Sequence, residues 1–161
     1  MEAILRECGW LAEGALGPVA AWVAEAAALL GPQCATRAEL EALLALIFEY
    51  DAHEILQQPE THVVITREGA RAVIRELALL VLDGGAVDSA RLGEIITALK
   101  ENLPYRGREL FYPLRLVLAR RAGEGELDRV ALLVDRAAEL PFAVKVKSCR
   151  ERVLEFCSVM E

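Results

Sequence analysis

The sequence predicts an all-α fold, and three observations carry that prediction. The composition favours Ala, Leu, Glu and Arg, which are strong helix formers, while aromatic residues make up 6% of the chain, a scarcity that disfavours a sheet. Apolar residues recur at spacings of three and four through most of the chain, which marks one buried stripe per helix. Helix start and stop signals fall between these stripes: two capping boxes, Thr36-Arg37-Ala38-Glu39 and Ser148-Cys149-Arg150-Glu151, and breaks at Gly17-Pro18, Gly31-Pro32, Gly84-Gly85 and Leu103-Pro104. A chain of 161 residues buries a core without disulfide or metal staples.

Taken in order, residues 2–12 predict a short helix with Ile4, Leu5 and Cys8 on one side. Pro18 to Leu30 predicts a second, with Val19, Trp22, Val23, Ala26 and Leu30 inward. Its apolar neighbours make Trp22 a core residue rather than a stacking platform. The Thr36 capping box opens a helix to about Tyr50, with Leu40, Leu43, Leu44, Ile47 and Phe48 as its stripe. Asp51 to Thr66 reads as a loop, within which His62-Val63-Val64-Ile65 is a short strand or extended chain. Thr66 is expected to cap a long helix to Asp83, closed by Gly84-Gly85. Asp88 or Ser89 caps the next, with Leu92, Ile95, Ile96 and Leu99 inward, stopped at Leu103-Pro104. Pro113, with a fixed φ and no N–H, is expected in the first turn of a helix carrying Leu114, Val117 and Leu118. Glu126 to Leu140 and a last helix with Val153, Leu154 and Cys157 complete seven or eight helices; Pro141 to Lys147 between them reads as extended. The break at Gly84-Gly85 divides the chain into an N-terminal helical subdomain, 1–84, and a C-terminal one, 85–161.

Charge is divided unevenly. Residues 1–98 hold six arginines and no lysine against fifteen acids, a balance of −9, while residues 99–161 stand at +2. Between Lys100 and Arg121 the local balance is +4. A broad positive face for duplex binding is disfavoured, but a local grip on a few phosphates is allowed. The apolar run Pro18 to Leu30 spans about 20 Å as a helix, short of the roughly 30 Å hydrocarbon core of a bilayer. No membrane association is expected. Cys8, Cys34, Cys149 and Cys157 form no Cys-x-x-Cys pair, and only His53 and His62 accompany them. No metal site and no disulfide framework is expected; free thiols and the lack of a basic leader after Met1 predict a cytoplasmic protein.

The most informative stretch is Gly107-Arg108-Glu109-Leu110-Phe111-Tyr112-Pro113-Leu114-Arg115-Leu116-Val117-Leu118. Arg115 lies in its apolar helix and keeps its charge, so it requires an acidic partner, a carbonyl cluster or a phosphate. The pattern Gly-x-x-Leu-Phe-x-Pro-Leu-Arg-x-x-Leu resembles the signature near the start of the last anticodon-binding domain of bacterial glutamyl-tRNA synthetases. Ile95 to Lys100 is similar to that family's Ile-x-x-x-Leu-Lys helix, and Thr36 to Tyr50 resembles an earlier helix more faintly. The resemblance implies two stacked helical subdomains and a module that holds the anticodon arm of a tRNA through Lys100, Arg106, Arg108, Arg115, Arg120 and Arg121. After Leu118 the family has Thr-Gly and then Ser-Pro or Gly-Pro in a turn near the anticodon bases, where this chain has Ala119-Arg120 and Gly125-Glu126. The family's Leu-Leu-Gly becomes Leu132-Leu133-Val134, and residues 135–147 read as an insertion.

No catalytic constellation accompanies the motif. The family's ATP-handling signatures His-Ile-Gly-His and Lys-Met-Ser-Lys-Ser are missing, and neither common glycine-rich phosphate loop occurs. The adjacent His53 and Glu54 do not face one another on a helix. The expectation is therefore a non-enzymatic RNA-binding module without cofactor, or a separate piece working with a synthetase subunit. The alternative is a helical protein-interaction module of the same origin that has lost RNA.

Overall fold

The computed structural model describes residues Met1 to Glu161 and has ten α-helices and no strand. They are α1 (Glu2–Glu7), α2 (Leu16–Leu30), α3 (Arg37–Phe48), α4 (Ala52–Gln57), α5 (Pro59–Ile65), α6 (Ala70–Leu82), α7 (Ser89–Asn102), α8 (Arg108–Ala119), α9 (Glu126–Ala138) and α10 (Cys149–Met160), with a single 3₁₀ turn at Gly31–Gln33 after α2. The all-α class is as the composition and periodicity predict. Both capping boxes form: Thr36 accepts from the Glu39 N–H and Ser148 from the Glu151 N–H, while each glutamate returns to its cap amide. Asp88, rather than Ser89, caps α7 by accepting from the Arg91 N–H.

Three local expectations are corrected. Asp51 to Thr66 is not a loop but two short helices, and His62 to Ile65 is helical. Asp51 starts α4 by accepting from the N–H groups of His53 and Glu54, and Pro59 occupies the first position of α5. Thr66 does not cap the long helix; its hydroxyl donates back to the His62 carbonyl and closes α5. The start of α6 falls instead at Gly69, whose φ of 89° is open to glycine, and against which the ring of Tyr105 is pressed too closely to admit a Cβ. Pro113 is interior to its helix, not at its start. Gly107 at φ 59° turns the chain into α8, and its carbonyl accepts from Leu110 and Phe111, so the helix begins five residues before the proline. Burial of Leu110 and Pro113 in that first half offsets the single backbone bond the proline removes.

The buried side chains on both sides of the turn at Gly84-Gly85 belong to one cluster of 41 residues. Helix α6 packs on α8 and α10, α2 and α3 on α9, and α4 on α10. Trp22 is fully buried in this core. Its indole N–H donates to the Leu133 carbonyl at 3.0 Å, and its ring meets Phe48 and Phe142 edge-on. Residues 141–147 pass over these aromatics without forming a strand; the Ala143 N–H donates to the Trp10 carbonyl and holds the segment down.

The carboxyl-terminal ends of α3 and α8 meet at a buried cation that the sequence patterns do not single out. Arg152, on α10, is 0% exposed and has no carboxylate partner. Its Nη1 donates to the carbonyls of Leu46 and Leu118, Nη2 to Ile47 and Nε to Lys147, at 2.5–3.0 Å. These carbonyls include the last, otherwise unpaired acceptors of two helices, where the backbone dipole is negative. Burial pulls the Arg152 pKa down, but a guanidinium keeps its charge, so the helix ends supply the neutralising field. The Tyr50 ring lies 4.6 Å from the guanidinium carbon, and its hydroxyl donates to the Val117 carbonyl at 2.7 Å.

Candidate nucleic-acid interface

The six basic residues singled out by the sequence lie along α8 and the segment leading into it, and the structure sorts them into three groups. Lys100, Arg106 and Arg108 gather where α7 ends and α8 begins. Arg106 wraps back over the end of α7, donating to the carbonyls of Lys100, Leu103 and Tyr105 at 2.5–2.8 Å. Neutral carbonyls leave its positive charge in place. The Lys100 ammonium stands over the Phe111 ring at 5.5 Å and the Arg108 guanidinium over the Tyr112 ring at 5.7 Å. None of these three forms an ion pair, and all are exposed. They surround the start of α8, where the first amides of a helix have no intrahelical acceptor.

Arg115 is turned the other way. Its side chain is 12% exposed and makes a bidentate pair with Asp128 at 3.0 and 3.1 Å, with a further bond to the Gly123 carbonyl. The Phe111 ring lies 4.8 Å from its guanidinium carbon. Of the three partners the sequence allowed, Arg115 therefore has a carboxylate and a carbonyl, and its N–H groups are committed inside the fold. What it does is hold the turn 120–125 against α8 and the start of α9.

Arg120 and Arg121 sit at the far end of α8, about 18 Å along the helix axis from Arg108. Arg120 is the single non-glycine residue with positive φ, at 72°. It donates to the Glu49 carbonyl at 3.0 Å and lies 3.6 Å from the Glu49 carboxylate. Arg121 is exposed and unpaired. Both line a cleft of about 500 Å³ between α3, α4, α5 and α8, which also holds Glu49, Glu54 and Glu60. The six cations thus do not converge on one groove: three form a positive corner at the start of α8, one is internal, and two share an acidic cleft at its end.

No family description, curated protein or solved structure matches the chain.

Sequence reasoning missed Arg152 and Asp135, two buried charged side chains that fix backbone segments by hydrogen bonds. Asp135, buried on α9, accepts from the N–H groups of Val87 and Cys149 and so ties the approach to α7 to the start of α10. Lys147 donates to the Tyr50 carbonyl and pairs with Glu155, which in turn accepts from the Ala52 N–H. Arg152 lies three residues into a helix whose capping box already accounts for its neighbours, and nothing in its spacing sets it apart from a solvated arginine. Burial raises the Cys149 thiol above its ordinary range, and Cys8, Cys34 and Cys157 shift the same way; the four cysteines are unbonded.

Proposed function

We propose that the chain is a non-catalytic RNA-holding module that grips the anticodon arm of a tRNA, as its resemblance to the distal domain of glutamyl-tRNA synthetases implies. The observation that carries this reading is the positive corner of Lys100, Arg106 and Arg108, three cations without carboxylate partners set beside two aromatic rings at a helix start. Cations of this kind grip phosphates, and neighbouring rings offer bases a surface to stack on. A second observation supports the ancestry. The family places Gly after the Leu-Phe-x-Pro-Leu-Arg helix, and Arg120 at that place has a glycine-type backbone, φ 72°. A glycine-type backbone at this position is what a turn of the family's kind would require.

Titration of labelled tRNA tests the reading, with fluorescence anisotropy at about 20 and 150 mM salt. Binding at low salt that weakens steeply with salt is expected, since phosphate contacts release counterions. The Lys100→Gln/Arg108→Gln variant should lower affinity at least tenfold and reduce the salt slope by about 2. No binding at about 20 mM salt would overturn the reading. One observation favours the protein-interaction alternative: Arg106, Arg115 and Arg120 already donate within the chain. Partners recovered equally before and after ribonuclease treatment are its expected signature.

A further inference from the structure

The exposed side of α3 carries a groove on the face opposite its core stripe. At the end nearer α5 lies the cleft of about 500 Å³ described above, floored by buried Leu46, Ile55 and Leu116. Beside it lies a second hollow of about 450 Å³ against Trp10 and Cys8. The two share Ala42, Ala45 and Glu49 as lining, so they flank the same exposed face of α3. From Ala38 to Glu49 the face of α3 that lines the two hollows extends about 17 Å, three turns of helix. This face presents alanines at helical spacing, Ala38, Ala42 and Ala45, which let another helix approach closely.

Charge selects the occupant. Glu41, Glu54 and Glu60 stand around this apolar floor, are exposed, and are in no ion pair. Glu49 is already matched by Arg120, and Arg121 is the one unpaired cation on the wall. A nucleic acid would place phosphates against three free carboxylates. A helix with an apolar stripe and flanking lysines or arginines would bury the stripe and pair the carboxylates. We propose that the α3 groove docks one amphipathic, basic helix of a partner protein. The positive corner at the start of α8 lies outside the groove, so this surface does not depend on the tRNA reading.

The probe is a labelled peptide of about 14 leucines and lysines, with leucine at helical spacing of three and four, long enough to fill three turns. Anisotropy titration against the full chain should give saturable binding. Ala42→Trp, which fills the groove from an exposed position, should weaken it at least tenfold. The Glu41→Gln/Glu54→Gln/Glu60→Gln variant should do the same without adding bulk. Glu94→Gln/Glu101→Gln, which removes two acids from α7, should leave it unchanged, and a peptide with glutamate in place of lysine should not bind. Circular dichroism of each variant checks helix content, and the glutamine variant decides the matter if Ala42→Trp loses it. No binding at 100 µM peptide overturns the proposal. So does equal weakening by the α7 variant, which would mean general charge attraction. A tRNA affinity that falls with Ala42→Trp while the peptide's does not would assign the groove to RNA and overturn it as well.

Discussion

Arg152 donates to more backbone carbonyls than any other side chain of the molecule. Four of its N–H groups end on carbonyls of α3, α8 and the segment before α10, and no carboxylate shares the load. Arg152→Met keeps much of the stem's packing but leaves those buried acceptors without donors. A loss of about 3–5 kcal/mol is expected, because several buried carbonyls are left without a donor at about 1–3 kcal/mol each and only partly relax. Urea unfolding followed by circular dichroism measures it; a loss below about 1 kcal/mol would mean that the helix ends find other donors. Arg120 is the opposite case. A left-handed backbone costs an L-residue about 1–2 kcal/mol, and the half-exposed contact with Glu49 returns less than that. Arg120→Gly should therefore be neutral or stabilise the fold by up to about 1 kcal/mol, read as an unchanged or raised urea midpoint. A clear destabilisation would show that the bond to the Glu49 carbonyl is worth more than the strain.

At the level of elements, two glycines separate a required conformation from an incidental one. Gly93 lies inside α7 with open space where a Cβ would go, so Gly93→Ala should stabilise the fold by about 0.5–1 kcal/mol. Gly69 has φ 89° and the Tyr105 ring against it, so Gly69→Ala should destabilise by about 2 kcal/mol or more. Thermal unfolding of the pair decides between them. Helix α10 has its own pH dependence. Lys145, 2.9 Å away, and the Ser148 amide hold the Glu151 carboxyl below its ordinary value of 4.5. That contribution is complete above the unfolded pKa and is lost as pH falls through the lower folded one. Wild type should lose its advantage over Glu151→Gln between about pH 5 and pH 3, measured by urea midpoints. A constant difference across that range would remove the carboxylate from the account.

Over the whole molecule, buried acids weaken the fold at alkaline pH, Cys149 and Tyr50 foremost among them. Burial raises the pKa of Cys149 from 9.0 and of Tyr50 from 10.0. Both remain protonated in the fold while the unfolded chain releases protons, so stability is full below about pH 9 and falls above it. Cys149→Ala should flatten part of that fall between about pH 8.5 and 10.5; an identical slope would overturn the assignment.

The helices long enough to show a repeating apolar stripe were legible in the sequence, as were the caps at Thr36, Asp88 and Ser148. The pieces that were not legible fail for identifiable reasons. Helices α4 and α5 have six and seven residues, too few for periodicity, and β-branched Val63, Val64 and Ile65 imitate a strand. Pro113 suggests a helix start, but the burial of Leu110 and the turn at Gly107 place that start earlier. For the site, the sequence shows which residues are basic and not which of them the fold has already used. Arg115 and Asp128 are thirteen residues apart, and Arg120 and Glu49 seventy-one, pairings that only the folded chain reveals.

The position of Arg152 also bears on how the chain is made. It reaches back across 106 residues to Leu46 and 34 to Leu118, yet it emerges from the ribosome after both. Without α10 the carbonyls at the ends of α3 and α8 lack this donor. The clasp is therefore a long-range contact: the ends of α3 and α8 gain their shared cation only when α10 docks against them.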